Sequence, residues 1–192
     1  MSVKHTNRKG KTYYLHHQGT TKTGKPKYFF ALRAEGDLAE SIPPGYEIYE
    51  NPNGQVFLRK MRPQIITDEE VATVEAGMRQ HCRLEHYIVD VKKNAIIVYT
   101  PDQDVDLLTE TFGLFPGAQK ERAKAAIQRV LTYSPMMQFV LVDKAHRLFE
   151  AHRYCFLGAI DDWISISNAD VLPRLVTTYV RHLGEDSFYE LY

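Results

Sequence analysis

Hydrophobic and polar residues alternate with a period of two near the start of the chain. Thr12, Tyr13, Tyr14, Leu15, His16 and His17 form one such run, and Lys27, Tyr28, Phe29, Phe30, Ala31 and Leu32 read as a second strand with apolar side chains on both faces. The stretch from Gly19 to Pro26 between them is rich in Gly, Thr and Lys, so residues 12–33 are expected to form a β-hairpin. A second hairpin is expected directly after it. Pro43, Pro44 and Gly45 turn the chain into Tyr46–Tyr49, the run from Asn51 to Gly54 makes the connection, and Gln55–Leu58 returns.

The period then lengthens to that of a helix. Thr67 and Glu70 stand at capping-box spacing, with Ile66 and Val71 placed to staple the helix start. Val71, Val74, Met78 and Cys82 follow on one helical stripe. Tyr87–Val89 and Ile96–Val98 read as a hairpin around Lys92, Lys93 and Asn94. Helices are expected over residues 102–112 and 118–131, the second with Ile127, Val130 and Leu131 turned inward. Residues 139–142, 147–157 and 163–166 read as strands of one sheet. Leu172, Leu175, Val176, Tyr179, Val180 and Leu183 keep helical spacing to a stop at Gly184, and Pro173 falls in the first turn, where it is tolerated. The acidic and aromatic C-terminus, residues 184–192, is apolar enough to pack back on the body or on a partner subunit.

The fold class is therefore α+β, mainly antiparallel sheet, with a β-rich N-terminal part and a mixed sheet and helix part ending in an amphipathic helix. The stretch 60–64 is the candidate boundary. It separates a basic hairpin region, 1–62, from an α+β domain, 63–192, and is short enough for the two to share one core.

Composition changes this picture little. The 192 residues are 44% hydrophobic and 25% charged, which excludes a disordered polymer, a collagen-like chain and a disulfide miniprotein. Cys82 and Cys155 are read as buried thiols in a reducing compartment. No apolar run approaches the roughly 20 residues that span a bilayer, and no secretory signal is visible. The expected location is cytoplasmic, with no membrane partner.

Charge changes it more. Lysine plus arginine and aspartate plus glutamate both number 24, so the formal net charge is zero. Yet residues 1–34 hold eight basic side chains and no acid, and the remaining 158 residues hold 16 basic and 24 acidic ones. A basic strip of this kind concentrates phosphate-bearing partners. The same strip could instead be neutralised by the acidic body of its own chain or of a twin subunit.

Several motifs invite catalytic readings and fail on their chemistry. Gly19, Gly24 and Lys25 stand at P-loop spacing, but Pro26 replaces the hydroxyl residue that would hold magnesium, and a strand follows where a helix is needed. Asp102, Asp104 and Asp106 resemble the opening of a calcium loop, but Leu107 and Gly113 occupy its glycine and glutamate positions, so these are read as helix-start carboxylates. His146, Glu150 and His152 share strand parity, yet His146 and His152 are separated by roughly 20 Å at about 3.3 Å per residue. Asp90 and Lys92 match half of a nuclease motif without its second aspartate, and Asp161 and Asp162 point to opposite faces of a strand. Lys120, Arg122, Lys124 and Arg129 make a modest second basic face that is read as solvated. Residues 1–60 hold eight aromatics, 13% against 11% for the chain, so most of these rings are expected in the core.

The leading expectation is a non-enzymatic module that binds DNA, RNA or another polyanion through Lys9, Lys11, Lys22, Lys25, Lys27 and Arg33. It implies no cofactor and no metal. A structural subunit of a protein complex or homo-oligomer is the alternative. A metal-dependent hydrolase or nuclease built from His16, His17, Glu150, His152, Asp161 and Asp162 is the second.

Overall fold

A computed structural model describes residues 2–20, 26–105, 107–108, 126–127, 129–156 and 161–192. The fold is α+β with mainly antiparallel sheet. The chain divides into two compact units, residues 1–63 with 103–132, and residues 64–102 with 133–192.

In the first unit, β1 (Lys4–Thr6), β2 (Thr12–Thr20) and β3 (Pro26–Ala31) form an antiparallel sheet in that order. β1 was not legible as a strand. Three residues alternating Lys, His and Thr carry no apolar signal, and the strand is held by pairing Lys4 with Tyr14 and Thr6 with Thr12. The second hairpin, β4 (Tyr46–Glu50) and β5 (Val56–Lys60), forms as its pattern predicts. Gly54, at φ +77°, sits in its turn beside the β1–β2 turn. A Cβ there would lie 3.0 Å from Asn7 Nδ2 and 3.3 Å from Lys9 Cγ, so only glycine fits without strain. The expected helices over 102–112 and 118–131 lie largely outside the described residues. Within them, Asp104 Oδ1 accepts from the Leu107 amide at 3.0 Å, the capping role expected of such carboxylates. Ile127 and Leu131 are buried, whereas Val130, expected inward, is 52% exposed.

The second unit is built on a sheet ordered β10-β9-β8-β7-β6, comprising β6 (Ile88–Lys92), β7 (Ala95–Pro101), β8 (Tyr133–Asp143), β9 (Leu148–Cys155) and β10 (Asp162–Ser165). The two-residue β11 (Asp170–Val171) also pairs with β9. Helices α1 (Asp68–His81) and α2 (Leu172–Tyr179) belong to the same unit. Val74, Met78, Leu175 and Val176 of the helices join Ile96, Val98, Phe139 and Phe149 of the sheet in one core. Burying such side chains contributes about 1.5–3 kcal/mol each.

The start of α1 follows the capping box. Thr67 Oγ1 accepts from the Glu70 amide, and Glu70 Oε2 accepts from the Thr67 amide at 2.8 Å. Arg147, at φ +52°, donates from Nε to Glu70 at 2.8 Å and from Nη2 to the Ile65 carbonyl, tying the β8–β9 turn to the helix start. The last helix leaves α geometry at Tyr179. It continues to His182 as a 3₁₀ turn rather than running as α to Leu183, and Gly184 at φ +84° ends it. The C-terminus packs back on the body. Phe188 is 1% exposed within the core, and Arg153 Nε donates to the Leu191 carbonyl at 2.8 Å. Cys155 is buried as expected, but Cys82 is only half-buried, because it caps the C-terminal end of α1. Both are free thiols.

Candidate functional site

Opposite charges separate onto the two units. The first carries fifteen basic and nine acidic side chains, the second nine and fifteen. Among the described residues, the first unit presents two groupings of basic side chains.

One is the β1–β2 turn. Asn7 is its organiser. Its buried side chain accepts from the Lys9 amide at 3.1 Å and the Lys11 amide at 2.8 Å, and donates to the Gly54 carbonyl. This neutral amide closes the turn, which carries Arg8, Lys9 and, past Gly10, Lys11. The Arg129 guanidinium comes alongside, with Nη2 3.7 Å from where a Cβ on Gly10 would sit. Glu50 is the counter-charge. Its Oε1 accepts from the Arg8 amide at 2.9 Å and from Arg8 Nε at 2.7 Å, and its Oε2 pairs with His5 Nε2 at 2.9 Å. Burial pulls the Glu50 carboxyl up, but the hydrogen bonds from His5 and Arg8 outweigh it and hold it below its ordinary value. Lys9 sits lower than an ordinary lysine, first because of burial and then because of the like charges of Lys11 and Arg8.

The other is one face of the β1-β2-β3 sheet. Register puts Lys4, Tyr14 and Ala31 in one row and His16 and Phe29 in the next, with Thr6, Thr12 and Lys27 on the same face. Lys4, Thr6 and Lys27 are exposed there. The opposite face carries His5, Tyr13, Leu15, His17, Tyr28 and Phe30. Leu15 is fully buried on it, and His5 reaches Glu50 of β4. On the open face the His16 ring is buried and stacked on Phe29, with centroids 5.1 Å apart and planes 16° from parallel. His16 Nε2 also pairs with the Arg33 carbonyl at 2.8 Å, which brings exposed Arg33 beside this stack.

The six cations expected from sequence therefore do not all meet. Lys9 and Lys11 share the turn. Lys27 lies toward the far end of β2, roughly 20–25 Å from Lys11 at about 3.3 Å per residue. Arg33 follows β3. Lys22 and Lys25 lie outside the described residues, as does most of the P-loop look-alike, whose lysine is followed by β3. Among the described residues, Lys4, Lys9, Lys11, Lys27, Arg33 and Arg129 form no ion pair. Arg8 pairs with Glu50, and Arg59 pairs with Glu47 at 2.8 Å.

Two elements of this surface were missed or misread in the sequence. Arg129 is distant in the chain, and nothing in its neighbourhood signals that it approaches Gly10. The aromatics were expected in the core, yet none of the eight in residues 1–60 is buried, and Phe29 and Phe57 are 39% and 46% exposed. Phe29 stands on the face that carries exposed Lys4, Thr6 and Lys27, beside the His16 ring that the chain near Arg33 and Gly36 covers, whereas Phe57 belongs to the separate β4–β5 hairpin.

Of the residues of the alternative catalytic reading, His152 and Glu150 pair with each other, and the set does not converge on one point. His17 Nδ1 pairs with Asp37 at 3.0 Å. His146 is not on a strand with Glu150 and His152. It lies in the β8–β9 turn, where Asp143 accepts from its ring at 2.8 Å. His152 bridges Gln138 and Glu150, each at 3.3 Å. Tyr154 donates to Asp161 Oδ1 at 3.1 Å, and Asp162 Oδ1 accepts from the Trp163 amide at 2.7 Å. Asp90 Oδ1 accepts from the Val91 amide at 3.0 Å. Among the described residues no three metal-ligating side chains converge, and no helix is long and apolar enough to cross a membrane.

Comparison with known protein families, with curated proteins and with solved structures finds no match to this chain.

Proposed function

We propose that the N-terminal unit is a binding module for nucleic acid, engaging phosphates through the β1–β2 turn. The observation that carries this reading is the packing of Arg8, Lys9, Lys11 and Arg129 around a turn closed by neutral Asn7, with Glu50 pairing Arg8 and His5 alone. Arg8 is offset by Glu50, but Lys9, Lys11 and Arg129 gather there with no carboxylate partner among the described residues, and a polyanion relieves their repulsion while releasing its own counterions. Lys4, Lys27 and Arg33 extend the positive surface along the sheet.

The test is fluorescence anisotropy with labelled oligonucleotides over a salt series. Affinity is expected to fall steeply between 50 and 200 mM salt, by about 10²-fold or more for some four to six neutralised phosphates. The double substitution Lys9→Glu with Lys11→Glu should abolish binding while the fold is retained by circular dichroism. Absence of binding at low salt, or binding indifferent to salt, overturns the proposal.

The equal and opposite charges of the two units favour a second reading, self-association of the basic unit of one copy with the acidic unit of another. Light scattering across the same salt series separates the two. A monomer at all salt concentrations rules out self-association.

A further inference from the structure

The open face of the β1-β2-β3 sheet differs chemically from the turn, because it adds an exposed aromatic ring to positive charge. Phe29 is 39% exposed and lies nearly parallel to His16, which is itself buried and held by the Arg33 carbonyl. The pair is thus a two-ring stack with an immobilised inner member and an outer member that reaches solvent. Tyr14 lies on the same face in the adjacent row, and Lys4 and Lys27 flank the rings on the outer strands. Lys27 is two residues from Phe29 along β3, about 6–7 Å, and β1 lies about 10 Å across the sheet from β3.

We propose that this face binds single-stranded nucleic acid, an unpaired base extending the His16–Phe29 stack while Lys4, Lys27 and Arg33 contact the flanking phosphates. The inference rests on the nucleic-acid reading above and narrows it. Two arguments favour a single strand over a duplex. A ring standing on a sheet can stack only on a base face, and in a duplex the base faces are occupied by neighbouring pairs. Base edges in a groove are read by bidentate Arg, Asn or Gln side chains. The described paired rows carry none of these: they present Lys4, Thr6, Thr12, Tyr14, His16, Phe29 and Ala31, with Lys27 beside them on β3, and Gln18 falls beyond them at the β2 irregularity. Arg33, beside it, follows β3 rather than belonging to the paired rows. Recognition by stacking tolerates any base, so weak sequence preference follows.

The experiment uses the full chain, with fluorescein-labelled dT20 and a 20-base-pair duplex as probes at equal ionic strength. The single strand is expected to bind at least tenfold more tightly. Phe29→Ala is expected to weaken dT20 binding about five- to a hundred-fold, the range seen when a stacked ring is truncated, and to leave duplex affinity within twofold. Phe29→Tyr, which keeps the ring, should restore dT20 binding, and thermal melting checks that both variants are folded. Equal or tighter duplex binding, or a Phe29→Ala variant that binds dT20 as the parent does, overturns this inference and leaves the turn-based reading standing. Failure of the parent protein to bind either probe overturns both.

Discussion

The two helices of the second unit come close together at Gly77, and that contact makes a quantitative prediction. Gly77 is buried on α1, and a Cβ built there would lie 2.0 Å from Cγ1 of Val176 on α2. Carbon atoms pack favourably at about 3.5–4.0 Å, so Gly77→Ala demands a displacement of roughly 1.5 Å. Val176 is 2% exposed and sits in the core, and a helical valine has one strongly preferred rotamer, so it cannot turn aside cheaply. Separating the helices would lift Val74, Met78 and Leu175 from their neighbours in the same core. Overpacking of this kind costs about 1–3 kcal/mol, against which alanine gains up to about 1 kcal/mol in helix propensity over glycine. A net loss of about 1–2 kcal/mol is expected for Gly77→Ala. Val176→Ala alone should lose about 2 kcal/mol through lost burial and the cavity it leaves. In the double variant the new methyl fills the space the valine vacates, so the combined loss should fall short of the sum by at least about 1 kcal/mol. Urea unfolding followed by the fluorescence of Trp163, which lies in the same unit, gives the midpoints. Gly77→Ala at parental stability, or strictly additive losses in the double variant, would refute the close-approach argument.

Two further predictions concern partly or wholly buried charge. Glu50 is held below its ordinary value in the folded state, so its stabilisation is present above the ordinary glutamate range, about 4.3, and is lost as pH falls through its lower folded value. Glu50→Gln should therefore cost about 1–2 kcal/mol at pH 7, and the melting temperatures of parent and variant should converge as the pH is taken well below the ordinary glutamate range; a difference that persists unchanged there would count against the ion-paired turn. Arg153 is 2% exposed, and its guanidinium donates to the Leu191 carbonyl at 2.8 Å and the Tyr189 carbonyl at 3.4 Å. Deleting residues 189–192 should lower stability by about 1–3 kcal/mol, whereas deleting Tyr192 alone, which removes the ring 5.7 Å from the Arg153 guanidinium but neither carbonyl acceptor, should cost about 0.5–1 kcal/mol. Equal effects of the two deletions would remove the carbonyl clamp from the explanation.

Elements with a strong local signal were legible in the sequence. The Thr67 and Glu70 spacing announced α1, and the paired runs at Tyr46–Tyr49 and Gln55–Leu58 announced β4 and β5, because capping and turn chemistry act over a few residues. What stayed hidden depended on distant partners. β1 is a strand because β2 offers it an edge, not because Lys4, His5 and Thr6 favour one. Val130 carries an apolar side chain at helical spacing yet faces outward, because periodicity names a stripe without showing what covers it. The eight N-terminal basic residues are visible in the sequence as a charge excess, but the division of the described ones between a turn and a sheet face follows from strand pairing. The exposure of Phe29 follows from the same pairing, since composition counts a ring without saying which face of a three-stranded sheet it occupies.

The way the turn is held also bears on what its charge is for. A loop needing only stability could cross-link its cations to carboxylates, as Arg147 does with Glu70 in the second unit. The β1–β2 turn instead closes through the neutral side chain of Asn7, which takes up the Lys9 and Lys11 amides and leaves both ammonium groups without a counter-ion among the described residues. Glu50 fixes the base of the turn through His5 and Arg8 but does not reach the two lysines. Burial first, and then the like charges of Lys11 and Arg8, hold Lys9 below an ordinary lysine. Geometry held by neutral hydrogen bonds, with charge kept free at its tip, is preorganised for an external anion: binding need not first break internal ion pairs, and the turn loses little further freedom when it binds.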